Sequence, residues 1–369
     1  MMTQLGAVRV ERQPSDPYRG AMARGSFPIL FITATRIGDA VLSSGLIRKL
    51  AQEIPSARFT IVAGPDAAPL FAEVPGLDEV IVFSKARSGG HWFSLWNRVR
   101  RRNWGLVVDL RGSAISRLLR RRRRAVHRRV PGPPPHKVVE ASRVLNLGED
   151  PAAPYLFTSQ ETEFRALELT QGAGPILALA PAANWVGKTW PIERFAQAAI
   201  RLLGPGGPLA GGRLMVLGGP QDRHELAPLR NLVLKTRFID LAGKVDLLTA
   251  YACLKHARLF IGNDSGLMHM AAAAGAPTLG LFGPSDEQLY GPWGPKARAV
   301  RGPRDFQQIR AVDPGLSQAL CHMMDLSVET VIQAAEELFD QTRPEAAAPA
   351  APSPEQAPTQ DADSETDHG

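Results

Sequence analysis

The chain has 369 residues, 44% of them hydrophobic, which is enough for a sizeable core in two domains and too much for one small module. Its formal charge of +7 is uneven: residues 342–369 hold one arginine against six carboxylates, −5, leaving a body of +12 that suits a polyanionic partner, whether nucleic acid, anionic lipid or a phosphorylated small molecule. No apolar run of about 18 residues and no compact signal-peptide core occur, so a cytoplasmic location is expected; two cysteines, Cys253 and Cys321, outside any CxxC pair, give no support to a disulfide framework or a structural zinc site.

Residues 1–26 lack apolar periodicity and are expected to form a disordered N-terminal extension. Strands are then expected at 28–35, 58–63, 79–83 and 105–110, with a helix at 40–53. Further along, strands are expected at 176–180, 213–219, 257–262 and 277–283, and helices at 192–203, 246–256 and 265–275. This alternation is that of parallel sheets built from βαβ units, an α/β protein. The turn-rich stretch 150–174 places the junction between two Rossmann-like halves, 27–160 and 161–341, facing a cleft. The Ala/Pro/acidic segment 342–369 cannot bury enough surface to offset its ordering entropy and is expected to be a disordered tail.

Three strand ends carry candidate chemistry. At the first, Arg36-Ile37-Gly38-Asp39 hands the chain from strand to helix, on the side where open α/β sheets bind ligands. Asp39 there either takes a proton from a hydroxyl or serves as a first-turn acid favoured by the helix dipole. The second, Gly187-Lys188-Thr189, mimics the end of a P-loop, but Ala182 stands where that pattern needs glycine and Trp190-Pro191 interrupts the helix. Lys188 is then either a point charge for a phosphate or a solvated lysine. The third, Asn263-Asp264-Ser265-Gly266 with His269 one turn on, opens a small-residue helix at a strand's end, where backbone N–H groups attract an anion; capping by Asp264 or Ser265 is the alternative. An arginine-rich run, 97–129, includes Arg120 to Arg124 and reads as a solvated basic face, a site for lipid phosphates, or a nucleic-acid surface. No G-x-G-x-x-G, H-E-x-x-H or G-x-S-x-G occurs, which lowers the dehydrogenase, metallohydrolase and serine hydrolase readings.

Together these stretches resemble glycosyltransferase family 9, the heptosyltransferase family of lipopolysaccharide core assembly. Residues 240–286, DLAGKVDLLTAYACLKHARLFIGNDSGLMHMAAAAGAPTLGLFGPSD, carry the strongest similarity; Arg36 to Asp39, and Lys188-Thr189-Trp190-Pro191 with Phe195, carry the rest. The resemblance implies a GT-B fold, with acceptor bound by the first Rossmann-like domain and nucleotide-sugar by the second. It implies an inverting transfer, of heptose from ADP-heptose to a lipopolysaccharide core or related lipid-linked saccharide. Asp39 takes the general-base position. Lys188, Ser265, Gly266 and His269 would neutralise the leaving diphosphate, Asp264 would order the loop or contact the donor, and Asp222 would lie near the nucleotide. Arg36, Gly38, Gly283 and Ser285 belong to the supporting loops. No metal or other cofactor is implied, and no nucleic-acid partner. Where the family commonly has proline, this chain has Gly45, which bears on acceptor geometry, and the segment 117–129 could face a membrane carrying the acceptor. The rival expectations are a non-catalytic nucleotide-sugar-binding protein on the same fold and a nucleic-acid-binding protein using the arginine run.

Overall fold

The computed structural model describes residues 25–84, 90–316 and 320–343, so nearly all of the expected N-terminal extension and acidic tail lies outside the described residues. The first half contains strands β1 (Phe27–Ile32), β2 (Ala57–Ala63), β3 (Leu77–Val82), β4 (Trp104–Asp109) and β5 (Arg121–Val126), with helices α1 (Ile37–Leu42), α2 (Gly45–Glu53), α3 (Gly90–Val99), α4 (Ile115–Leu118) and α5 (Lys137–Ser142). These strands form a parallel sheet in the order β3-β2-β1-β4-β5. Continuous apolar runs such as PILFI and LVV suit it, because a parallel sheet is covered on both faces.

The second half contains α6 (Gln160–Thr170), β6 (Ile176–Ala180), α7 (Ile192–Leu203), β7 (Arg213–Val216), β8 (Phe238–Asp240), α8 (Leu247–Leu254) and β9 (Leu259–Asn263). It continues with α9 (Gly266–Ala273), β10 (Thr278–Phe282), α10 (Glu287–Tyr290), β11 (Ala297–Arg301), α11 (Phe306–Val312) and α12 (Val328–Gln341). Its parallel sheet runs β11-β10-β9-β6-β7-β8. Buried apolar residues join the two halves in one cluster, from Ile29 and Val41 through Leu156 to Tyr251 and Met270. No helix of the described residues is long and apolar enough to cross a membrane.

Each sheet has one point where successive strands leave in opposite directions: between β1 and β4 in the first, and between β6 and β9 in the second. Loops at the carboxyl ends of strands flanking such a point diverge and leave a crevice. The four loops concerned carry Asp39 after β1, Asp109 to Ser113 after β4, Lys188 after β6, and Asp264 and Ser265 after β9.

The structure revises the expected elements in two ways. The helix expected at 40–53 is two helices, because Ser43 and Ser44 spend their hydroxyls on backbone carbonyls: Ser43 Oγ on Asp39 and Ala40 at 3.1 Å, and Ser44 Oγ on Val41 at 2.7 Å. Strands β5, β8 and β11 were not expected. β5 is RRRRAV at the sheet's edge and β8 is three residues long, so neither shows a buried apolar run. β11, ARAVR, is half-buried throughout.

Candidate active site

Helices α1 and α9 meet across the cleft at two glycines. A Cβ built on Gly266 would lie 2.5 Å from Ile37 Cγ2, and one built on Gly38 would lie 3.0 Å from His269 Cδ2. Only the absence of side chains at both positions lets the first turns of the two helices touch. That contact sets Asp39, in the first turn of α1, over the N-terminus of α9. The first amides of α9 have no acceptor within the helix. Beside them Ser265 Oγ and His269 Nδ1 are buried and unpartnered, two polar atoms that a ligand with acceptor and donor groups would satisfy. Ser265 sits at the N-cap position but makes no side-chain capping bond, so the capping reading fails for it.

Asp264 is buried and receives a hydrogen bond from Lys188 Nζ, joining the loops after β6 and β9 across the second switch point. Asn263 fixes the same junction, accepting from Trp190 N at 3.2 Å and donating to the Pro181 carbonyl. Lys188 ends a single 3-10 turn rather than opening a helix, so the P-loop likeness does not extend to geometry. His269 Nε2 lies 3.9 Å from Asp264 Oδ1, too far for a hydrogen bond. Burial, against the opposing pull of Asp264, drives the imidazole down to about 4. His269 is therefore neutral near pH 7, a hydrogen-bonding group rather than the cation its position first suggests.

Burial is also the main influence on Asp39 and raises its carboxyl above the ordinary 3.8; Arg36, Lys137 and Lys188 oppose it, and Asp264 adds to it. Its carboxylate accepts no hydrogen bond from the described residues. The other carboxylate at this switch point, Asp109, is fully buried and committed to its own loop, accepting from Arg111 N at 3.0 Å, Ser113 N at 2.8 Å and Ser113 Oγ at 2.6 Å. Asp39 is thus the acid left available for proton transfer.

Other expected residues are placed less directly. Arg36 is exposed at the start of α1. Asp222 turns back on its own loop, accepting from Gly219 N at 2.7 Å, and makes no hydrogen bond or ion pair with Asp39, Lys188 or Asp264. Gly283 and Ser285 follow β10, where Arg301 holds the loop by donating to the Ser285 carbonyl at 2.7 Å, the Gly283 carbonyl at 3.3 Å and Glu287 Oε1 at 2.8 Å. Arg301 escaped sequence reasoning, as did His136, Lys137 and Tyr290. His136 caps α5 through Nδ1, accepting from Val138 N at 3.2 Å, and through Nε2 reaches the Gly291 carbonyl of the other half at 3.0 Å. Lys137 pairs with Glu140 and stands 5.8 Å from the Tyr290 ring centre. Its spacing from Glu140, i to i+3, was the one legible signal. Cys253 and Cys321 are both free, as the spacing implied. Among the described residues no group of three or more His, Cys, Asp or Glu side chains could hold a metal ion.

The model of glycosyltransferase family 9 (heptosyltransferase) matches residues 135–313. Lipopolysaccharide heptosyltransferase 2 of Salmonella typhimurium is 24% identical over 348 residues, covering 83% of this chain and 96% of that protein. Among solved structures, the family 9 glycosyl transferase from Veillonella parvula superposes with a TM-score of 0.69 at 21% identity, covering 87% of this chain and 100% of its own. ADP-heptose lipopolysaccharide heptosyltransferase II of Escherichia coli gives 0.66 at 20% identity, covering 85% and 99%. The two-sheet architecture is that of the GT-B fold, and the non-catalytic and nucleic-acid readings give way to an enzyme. With the family match spanning α5 to α11 and the relative aligned along most of the chain, this protein is similar to glycosyltransferase family 9 and is a sugar transferase.

Proposed function

We propose that the enzyme transfers heptose from ADP-heptose, with inversion, to a hydroxyl of a lipopolysaccharide core or related lipid-linked saccharide. The observation that carries this reading is the contact of α1 with α9, which sets a half-buried, unbonded carboxylate against a helix mouth holding two unpartnered polar atoms. The named relatives are heptosyltransferases of lipopolysaccharide, which supports the same donor and acceptor classes.

In this scheme the ionised Asp39 takes the proton of the acceptor hydroxyl as its oxygen attacks the anomeric carbon. The bond from that carbon to the diphosphate breaks, and ADP leaves with the electron pair. The growing negative charge is met by the α9 amides at Gly266 and after it, by Ser265 Oγ and neutral His269 as hydrogen-bonding groups, and by the Lys188 ammonium shared with Asp264. Gly283 and Ser285 shape the donor side, while Asp222 contributes through its loop. The chemistry is assigned to these side chains, with no resident metal. Because the glycines touch, a sugar diphosphate enters between α1 and α9 only when the two halves hinge apart. A cytoplasmic enzyme meeting its acceptor at the inner face of the membrane fits this substrate class.

Asp39→Asn tests the assignment. The variant should lose transfer by at least ~100-fold, the usual scale of a lost general base, while binding ADP-heptose within about threefold of wild type. Retained transfer would remove Asp39 from the chemistry, and lost donor binding would make its role structural.

A further inference from the structure

Away from the cleft, a cavity of about 730 Å³ runs along the outer edge of the first sheet, between the end of α2, strand β5, the 127–135 loop and α5. That volume falls within the ~300–1,000 Å³ typical of small-molecule sites. Six cations line it, Lys49, Arg123, Arg124, Arg128, Arg129 and Arg143, against two carboxylates, Glu53 and Glu140. Both carboxylates are already engaged, Glu53 paired with Lys49 at 3.2 Å and Glu140 paired with Lys137 and hydrogen-bonded with His127 at 3.0 Å. By contrast, Arg123, Arg124, Arg128 and Arg129 are exposed and form no hydrogen bond or ion pair with any described residue.

Arginines on an edge strand have a plain use, because charge there deters pairing with a second chain. That accounts for Arg123 and Arg124 in β5 but not for Arg128 and Arg129, which lie beyond its end and line the same hollow. Four guanidiniums so close together repel one another, and planar, bidentate donors of this kind match phosphate oxygens. One residue pair links the groove to the reaction site. The wall residue Glu140 holds Lys137, and the Lys137 charge acts on Asp39.

We infer that this groove is a subsite for a phosphorylated group of the acceptor, gripping the anionic end of the molecule while its reacting hydroxyl reaches Asp39. The inference rests on the transferase reading above and adds the part of the acceptor that is recognised. β5 stands two strands from β1 in the sheet, roughly 10 Å, so a ligand spanning groove and cleft is an oligosaccharide or glycolipid bearing phosphate, not a single sugar.

The test compares the full-length enzyme with its Arg123→Gln/Arg124→Gln/Arg128→Gln/Arg129→Gln variant, which removes four exposed charges and no core contact. Binding of inorganic pyrophosphate by titration calorimetry at low salt should weaken at least tenfold in the variant. Acceptor KM, measured with a soluble phosphorylated core saccharide, should rise tenfold or more with kcat and donor KM unchanged. With the dephosphorylated saccharide the two proteins should behave alike. An equal KM rise on both saccharides, or none on either, overturns the inference. So does loss of binding to phosphatidylglycerol vesicles with the soluble acceptor unaffected, which would make the patch a membrane contact. Should no saccharide turn over, the transferase reading fails on its own, and the pyrophosphate titration still decides whether the groove binds phosphate.

Discussion

At Asp39, burial and charge pull in opposite directions. Burial raises the carboxyl, which makes it a stronger base once ionised; Arg36, first among the cations acting on it, keeps the ionised form within reach. The base must be ionised to take a proton, so transfer falls as pH drops through the Asp39 pKa and is complete above it. Arg36→Gln removes the largest opposing charge from an exposed position, so the Asp39 pKa rises further. The acid limb of kcat/KM should then move to higher pH while the plateau rate changes little. A profile of kcat/KM against pH for the two enzymes checks this, and a limb that stays put or moves down would show that Arg36 does not act on the ionisation of Asp39. Neutral His269 adds a second pH effect through stability rather than rate. Its folded pKa lies below its ordinary 6.5, so its contribution is present above pH 6.5 and is lost as pH falls towards about 4.

Beside the break between α1 and α2 stands Gly45, where the family commonly has proline. A Cβ at this position would sit 2.3 Å from the Ala153 carbonyl oxygen and 2.4 Å from that of Ala152. Those carbonyls belong to backbone, which cannot swing aside as the end of a flexible side chain could. Ser44 fastens the same segment by accepting from Tyr155 N at 2.9 Å. Helix propensity alone favours alanine over glycine by up to ~1 kcal/mol, whereas overpacking against fixed backbone costs roughly 1–3 kcal/mol. Gly45→Ala should therefore lower the urea unfolding free energy by roughly 1–2 kcal/mol, and a gain in stability would show that the 152–153 segment yields freely. The crossing segment was not legible in the sequence, since its contacts join residues more than 100 positions apart, while the kink rests on local serine bonds to backbone carbonyls that hydrophobic periodicity does not register. What was legible followed from local periodicity: continuous apolar strands β1, β4, β6 and β9, and the glycine- and hydroxyl-bearing turns at their carboxyl ends. The edge strand β5, all arginine over its first four residues, has no such signal because nothing covers its outer edge. Arg301 and the cross-cleft contact of His136 were likewise hidden, because their partners come from other elements.

At the scale of the molecule, the two halves meet through a cluster of buried apolar residues and, at the reaction site, through bare backbone. The proposed transfer requires that the closed lobes hold Asp39 within reach of the acceptor hydroxyl, and misplacement by about 1 Å can cost on the order of 100-fold in rate. The Gly266 to Ile37 approach is a tight point of that closure. Gly266→Ala puts a methyl group 2.5 Å from Ile37 Cγ2, so the lobes cannot close fully, and kcat should fall at least tenfold. Trimming the other side relieves the conflict, because Ile37→Ala removes Cγ2 and leaves only Cβ, 3.0 Å from the new methyl, a gap that small shifts can widen. The double variant should therefore recover most of the kcat lost by Gly266→Ala, a coupling between residues 229 positions apart that a double-mutant cycle reads directly. Donor affinity measured alongside separates two causes. If Gly266→Ala acts by crowding the diphosphate, ADP-heptose binding weakens and Ile37→Ala restores nothing. If it acts by blocking closure, donor binding to the open lobes stays within a few fold of wild type and the second substitution rescues turnover.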